Sequence, residues 1–254
     1  MCGVCACGDH HEHEHDHGGL RNQRRVSNEF LTVERDILSK NDRYARANRL
    51  RMQQRRVLGL NLISSPGAGK TTLLVNTLEL LRSRLSTAVI EGDQETSIDA
   101  RRIQETGVRA VQINTGRGCH LDAHMVGEAM DELNLEPGSI LFIENVGNLV
   151  CPSTFDLGEQ HKVAILSVTE GDDKPLKYPD TFAAADLMIL SKVDLLPYVD
   201  FNVDRCIEHV RSVNPSIYVI TLSSRSGEGM DVWVDWLTKT AREVGTPAEA
   251  MNDA

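Results

Sequence analysis

Ser64-Ser65-Pro66-Gly67-Ala68-Gly69-Lys70-Thr71-Thr72 follows directly on the apolar run Val57 to Ile63 and opens a helix-forming stretch, Thr71 to Arg84. A strand that turns through glycines into a helix leaves several backbone N–H groups pointing into one hollow, with the positive end of the helix behind them. That hollow fits a polyphosphate. The general pattern is G-x-x-x-x-G-K-S/T; Ser64 stands where the first glycine would be, and Gly69, Lys70 and Thr71 are in register. Backbone at Gly67, Ala68 and Gly69 can approach phosphates closely, Lys70 can reach the β and γ oxygens, and the Thr71 hydroxyl can ligate Mg²⁺, with Thr72 completing the set.

The 254 residues suit one α/β domain of about 200 residues plus an appendage. A net charge of −10 argues against nucleic acid or an anionic membrane as partner, and the basic run Arg43 to Arg56 reads as a solvated helix face. No apolar stretch approaches the ~20 residues that cross a bilayer, and the first residues are His and acidic rather than apolar, so a cytoplasmic protein without membrane insertion is expected. Six cysteines in a reducing compartment point to thiolate ligands rather than disulfides, because three of them fall in the first seven residues.

Residues 1–26 lack hydrophobic periodicity and are expected as a mobile, disordered metal-binding tail. Residues 27–56 carry Phe30, Val33, Ile37, Leu38, Ala45 and Leu50 at helical spacing and form a helical segment, one or two helices with Ser39 to Asp42 as the candidate break. From residue 57 to 245 strand-like and helix-like runs alternate, with strands expected at Val57 to Ser65, Thr87 to Gly92, Ala110 to Thr115, Ser139 to Asn145, Val163 to Thr169, Leu187 to Ser191 and Ile217 to Leu222. Helices are expected at Thr71 to Arg84, Ile98 to Thr106, Leu121 to Leu133, Val203 to Val213 and Met230 to Val244. The pattern predicts a three-layer α/β P-loop NTPase with a mostly parallel seven-stranded sheet, its ligands at the carboxyl ends of the strands. Residues 246–254 read as a flexible end.

Ser191-Lys192-Val193-Asp194 closes the sixth strand on the phosphate-loop edge. Guanine presents two adjacent donors, N1–H and the 2-amino group, which one carboxylate accepts together; adenine has no such pair. Asp194 therefore selects GTP, with the Lys192 stem along the purine or ribose, and Ser223-Ser224-Arg225 supplying backbone N–H to the guanine O6. Ser191 departs from the Asn usual at the first position of such motifs. Asp93 and Glu144 end strands where Mg²⁺ would sit, held directly or through water, and with Lys70 they form the expected catalytic set. Gly147 in Glu144-Asn145-Val146-Gly147 offers an N–H to the γ-phosphate, so the segment after it should move when that phosphate leaves. No glutamine stands out to position water, so slow hydrolysis is expected unless a partner or second subunit completes the site.

Cys2-Gly3-Val4-Cys5-Ala6-Cys7 places three thiols within reach of one thiophilic ion such as Ni²⁺ or Zn²⁺, and His10, His11, His13, His15 and His17 follow as weaker donors. Gly118-Cys119-His120 follows the third strand and Cys151-Pro152 follows the Glu144 segment, so Cys119, His120 and Cys151 form a second site if the two loops meet, within one chain or across a two-fold axis. Cys206 reads as core, and His124 as helix surface.

Together these residues resemble the HypB family, the nickel-incorporation GTPases that serve maturation of nickel–iron hydrogenases. The resemblance runs over nearly the whole chain: the Cys2, Cys5, Cys7 and His tail, the phosphate loop from Ser64 to Thr72, Gly118-Cys119-His120-Leu121-Asp122, Glu144 through Pro152, Ser191-Lys192-Val193-Asp194 and Gly227-Glu228-Gly229-Met230. It implies a GTP-dependent homodimer, a nickel site at Cys2, Cys5 and Cys7, and a nickel or zinc site at Cys119, His120 and Cys151. It also implies a HypA-type zinc-containing partner and a hydrogenase large subunit as recipient. A related GTPase that loads nickel into urease, a metal-storage protein with a vestigial nucleotide site and a kinase using the same loop are the alternatives.

Overall fold

The near-continuous apolar runs become strands buried on both faces, and the charged, helix-forming intervals between them become the crossovers. The computed structural model describes residues 18–93, 98–116 and 118–245, and all that follows concerns those residues. The expected tail site at Cys2, Cys5 and Cys7 and the expected flexible end at 246–254 lie outside them. In chain order the elements are α1 (Gly18–Arg55), β1 (Leu58–Ser64), α2 (Lys70–Leu81), β2 (Thr87–Asp93), α3 (Ile98–Glu105), β3 (Arg109–Asn114), α4 (Ala123–Leu133), β4 (Ile140–Glu144) and α5 (Cys151–Thr154). They continue as β5 (His161–Ser167), α6 (Lys174–Lys177), α7 (Pro179–Ala184), β6 (Leu187–Ser191), a 3₁₀ turn (Val193–Tyr198), α8 (Val203–Val213), β7 (Tyr218–Thr221) and α9 (Met230–Gly245).

The seven strands form one sheet in the order β3-β2-β4-β1-β5-β6-β7, and every pairing is parallel. All seven carboxyl ends therefore lie on one edge. β1, β4 and β6 are buried along their whole length, whereas the edge strands β3 and β7 expose several residues, as position in the sheet requires. Alternate residues face opposite layers: Leu58, Leu60, Leu62, Ile140 and Phe142 pack with Leu73, Leu74, Trp233 and Leu237 of α2 and α9. On the other face Leu141 and Ile143 meet Met52, Val126 and Met130, and further along the sheet Met188 and Leu190 meet Phe182, Cys206 and Val210. Cys206 is core, with burial pushing its thiol up to about 12.

The chain divides into two units, one through Ser39 and a larger one from Lys40 onward. Two expectations are corrected here. First, α1 begins at Gly18, inside the stretch assigned to the tail; of the one or two helices expected after it, a single one forms, unbroken through Ser39 to Asp42. That stretch has no Pro or Gly, and Asn41 spends its side chain on tertiary bonds, donating to Asp156 O at 2.7 Å and accepting from Ala123 N at 2.9 Å, rather than competing with its own helix. Second, the basic run is only partly a solvated face. Arg49 forks onto the Asp156 carboxylate at 2.7 and 2.9 Å, Arg51 binds Gly127 O at 3.1 Å, and Arg55 binds Leu135 O at 2.7 Å.

Asn48 is buried at the centre of this seam, donating to Ala123 O at 2.7 Å and Leu157 O at 3.0 Å. Replacing it with Ala leaves two buried carbonyls without a donor. Asn48→Ala should destabilise the domain by about 1–3 kcal/mol, read as a lower urea midpoint with unchanged slope.

Candidate nucleotide and metal site

The phosphate loop follows β1 with its two glycines in left-handed conformations, φ 74° at Gly67 and 95° at Gly69, which L side chains rarely adopt. α2 starts immediately after, with Leu73 N bonded to Gly69 O at 2.9 Å, so the helix N-terminus opens into the loop. Thr71 donates to Glu144 Oε1 at 2.6 Å, and Lys70 Nζ lies 3.6 Å from the same oxygen. Glu144, at the end of β4, is only 3% exposed. A hydroxyl, an ammonium and a carboxylate thus converge at the mouth of the loop; the two oxygen groups suit Mg²⁺ with its waters, and the ammonium suits the phosphate oxygens. Asp93 ends the neighbouring strand β2, and its carbonyl accepts from Thr115 N at 2.9 Å. Thr72 accepts from Arg102 of α3 at 3.2 Å.

At the far end of the loop, Ser191 donates to Ala68 O at 2.7 Å from a buried position. It tethers β6 to the phosphate loop. Lys192 holds a left-handed backbone, φ 61°, and reaches across to Gly67 O at 2.6 Å, its Cε 3.5 Å from where a Cβ on Gly69 would lie. Asp194 Oδ1 accepts from the Ser223 hydroxyl at 2.6 Å, which aims the carboxylate. The Ser223 amide donates to Glu228 O at 2.8 Å and the Arg225 amide to Ser223 Oγ at 3.2 Å, so both are engaged within the turn. Of the three residues expected to offer an amide to a base carbonyl, Ser224 has its own carbonyl taken up by Asn76.

The loops after β3 and β4 do meet, within one chain. The ligand atoms of Cys119, His120 and Cys151 lie within 4.8 Å of one another, each residue half-buried, and they are the only such group among the described residues. Cys119 Sγ is 3.5 Å from His120 Nδ1. Ligand distances of about 2.0–2.3 Å place tetrahedral donors roughly 3.5 Å apart, so a contraction on the order of 1 Å closes the set around an ion. His120 stacks on Phe155, ring centroids 3.9 Å apart, and burial holds its imidazole below the ordinary pKa, neutral and able to ligate. The Cys119 thiol is pushed up by its hydrogen bond with Cys151 and by burial. His124 stands apart as helix surface, edge-on to Tyr44.

Residues 59–221 match the model of the CobW/HypB/UreG nucleotide-binding domain. The chain is 64% identical over 212 residues to the hydrogenase maturation factor HypB of Rhizobium leguminosarum bv. viciae, covering 84% of this chain and 71% of that protein. The chain belongs to the HypB family of hydrogenase maturation factors. The HypB of Escherichia coli K12 is 58% identical over 230 residues, covering 91% of this chain and 79% of its own. The crystal structure of HypB from Helicobacter pylori in complex with nickel superposes with a TM-score of 0.77 at 39% identity, covering 82% of this chain and 98% of that one.

Several residues of this HypB-type site make contacts that the sequence does not announce. Ser191 replaces an expected Asn yet keeps a bond to the phosphate loop; its position one residue before Lys192 is the only signal. Ser223 positions Asp194 instead of meeting the base. Asn145 and Asn148 lie inside the Glu144-to-Pro152 motif, and nothing in their spacing says what they bind. No helix among the described residues is long and apolar enough to cross a membrane.

Because the Cys119 thiol is raised and binds metal as thiolate, that proton must leave on binding. His120, held below its ordinary value, adds no competing proton near neutrality. Affinity at this trio should rise at least about tenfold per pH unit across pH 6–8, since each thiol gives up a proton to ligate, measured by competition with a chromophoric chelator in a full-length chain whose tail cysteines are replaced by Ala.

Proposed function

We propose that this protein is a GTP-hydrolysing metallochaperone that binds nickel and delivers it during nickel–iron hydrogenase maturation. One observation carries the reading: the eight residues Glu144 to Cys151 begin at the Lys70–Thr71 phosphate site and end at the metal trio. A single strap therefore touches both pockets. Family membership supports the hydrogenase setting, and the nickel complex of the Helicobacter pylori relative supports nickel as cargo.

In this reading GTP lies with its phosphates over Gly67, Ala68, Gly69, Lys70, Thr71 and Thr72, and its base against Lys192, Asp194 and Ser224, with Ser223 and Arg225 shaping that turn. Thr71, with Asp93 and Glu144 directly or through water, would hold Mg²⁺, which would neutralise phosphate charge. Lys70 balances the negative charge that grows as water displaces GDP from the γ-phosphorus. Gly147 lies against the loop, where a Cβ would approach Pro66 Cα to 3.2 Å, and its N–H is the donor assigned to the γ-phosphate. Loss of that phosphate frees the strap. Val150, 59% exposed beside Cys151, and the half-buried trio offer a face on which a second copy can add donors, a GTP-dependent homodimer. Cys2, Cys5 and Cys7 would hold nickel in the tail, with zinc as the competing ion at the trio and a HypA-type protein and the hydrogenase large subunit as exchange partners in the cytoplasm.

Two outcomes test this reading. Asp194→Asn exchanges one acceptor for a donor, which mismatches guanine and suits xanthine; GTP affinity should fall roughly 10- to 100-fold and XTP affinity should rise, by nucleotide competition. With Cys2, Cys5 and Cys7 replaced by Ala, nickel affinity should differ about fivefold or more between the GDP form and the form bound to a non-hydrolysable GTP analogue. Lys70→Ala should abolish turnover, and equal affinities in the two nucleotide forms would refute the metallochaperone cycle.

A further inference from the structure

The peptide that carries the metal ligands, Cys119-His120-Leu121, is gripped at both ends by side chains of the strap. Asn145 Oδ1 accepts from Leu121 N at 3.0 Å, and Asn148 Nδ2 donates to Cys119 O at 3.3 Å. Asn148 Oδ1 also accepts from Val150 N at 3.0 Å, fixing the turn that presents Cys151. Leu121 is buried against Gly92, where a Cβ would come within 2.7 Å of its Cγ, so the ligand peptide sits in a socket between β2 and β4.

Asn145 is itself held from behind. Its Nδ2 donates to Asn61 Oδ1 at 3.2 Å, Asn61 Nδ2 donates to Glu159 Oε1 at 3.2 Å, and Lys162 Nζ lies 3.7 Å from that oxygen while donating to Ser153 O of α5 at 2.9 Å. Asn145, Asn61 and Glu159 are all buried. The carboxylate accepts only, so it orients both amides, and the Asn145 carbonyl is left facing the Leu121 and Val146 N–H groups. One row of polar side chains thus joins the residue after Glu144, the loop of Cys119 and His120, and the helix of Cys151.

We infer that Asn145 and Asn148 are the positioning residues through which the nucleotide state sets the spacing of Cys119, His120 and Cys151. This rests on the metallochaperone reading. Movement of the strap at Gly147 displaces both carboxamides, and with them the two ends of the ligand peptide, without either residue touching nucleotide or metal.

The test uses the full-length chain with Cys2, Cys5 and Cys7 replaced by Ala, with nickel affinity measured in the GDP form and with a non-hydrolysable GTP analogue. Asn148 is half-buried, so Asn148→Ala should fold and keep metal-free GTP turnover, while the affinity ratio between the two forms drops from about fivefold or more to below about twofold. Asn145→Ala should do the same, and Asn145→Asp, which keeps the acceptor oxygen, should restore at least half of the ratio on a logarithmic scale. A purely structural role would lower both affinities together and leave the ratio intact. A ratio preserved in Asn148→Ala overturns this inference alone, whatever the folding of the Asn145 variants. A ratio near one in the parent chain overturns the metallochaperone reading and this inference with it.

Discussion

A carboxylate as buried as Glu144 must be paired or hydrogen-bonded, and its partners here are the hydroxyl and ammonium of the phosphate loop. That contact fixes the geometry of everything downstream. The Glu144 backbone is clamped in register between Leu62 of β1 and Glu91 of β2, so its side chain cannot retreat to satisfy itself elsewhere. In the proposed function, phosphate oxygens and a divalent cation would draw on Lys70 and Thr71, the same groups that Glu144 holds. The residue where the two demands meet is also the residue at which the strap toward Cys151 begins.

Much of the scaffold was legible because it rests on short-range signals. The runs Val57 to Ser65, Ser139 to Asn145 and Leu187 to Ser191 are apolar enough to require burial on both faces, and β1, β4 and β6 lie at those positions with ends shifted by no more than about a residue. The phosphate loop was legible for the same reason: two left-handed glycines and a Lys-Thr pair serve little else at a strand-to-helix turn. The short elements α5, α6 and α7 and the 3₁₀ turn were not, since one turn of helix leaves no period to read and each is held by tertiary bonds, such as Thr181 donating to Leu149 O. α1 starts earlier than the helical spacing showed, and of the one or two helices left open a single one forms, because Asn41, at the candidate break, spends its side chain on Asp156 and Ala123 rather than on its own helix.

The site divided along the same line. Cys119, His120 and Cys151 were recognisable by type, and the parallel sheet made their approach plausible, but only the register of β3, β2 and β4 brings the two loops to one place. The roles of Ser191, Ser223, Asn145 and Asn148 were invisible because a hydrogen bond across 123 residues, as from Ser191 to Ala68, leaves no local trace. The Asp194 carboxylate illustrates the limit: its chemistry could be read from the residue, but its aim comes from Ser223 in the loop after β7.

The length of the strap limits how a disturbance at one pocket can be absorbed before it reaches the other. Six residues separate Glu144 from Cys151, an extended reach of at most about 25 Å, and few of them are at liberty. Asn145 is bonded on three sides and takes up the Val146 amide, a Cβ on Gly147 would press to 3.2 Å of Pro66 Cα, Asn148 bridges Cys119 and Val150, and Leu149 O is taken by Thr181. A flexible linker would dissipate displacement in its own torsions, whereas a strap with hydrogen bonds at five of its six positions passes it to its contacts. The buried Lys162–Glu159–Asn61–Asn145 row adds to that stiffness. Burial raises the Glu159 carboxyl while the Lys162 ammonium opposes the shift, so each member depends on its neighbour for satisfaction. Such a row moves as a unit or breaks at considerable cost, and two discrete arrangements rather than a continuum are what a switch between nucleotide states requires.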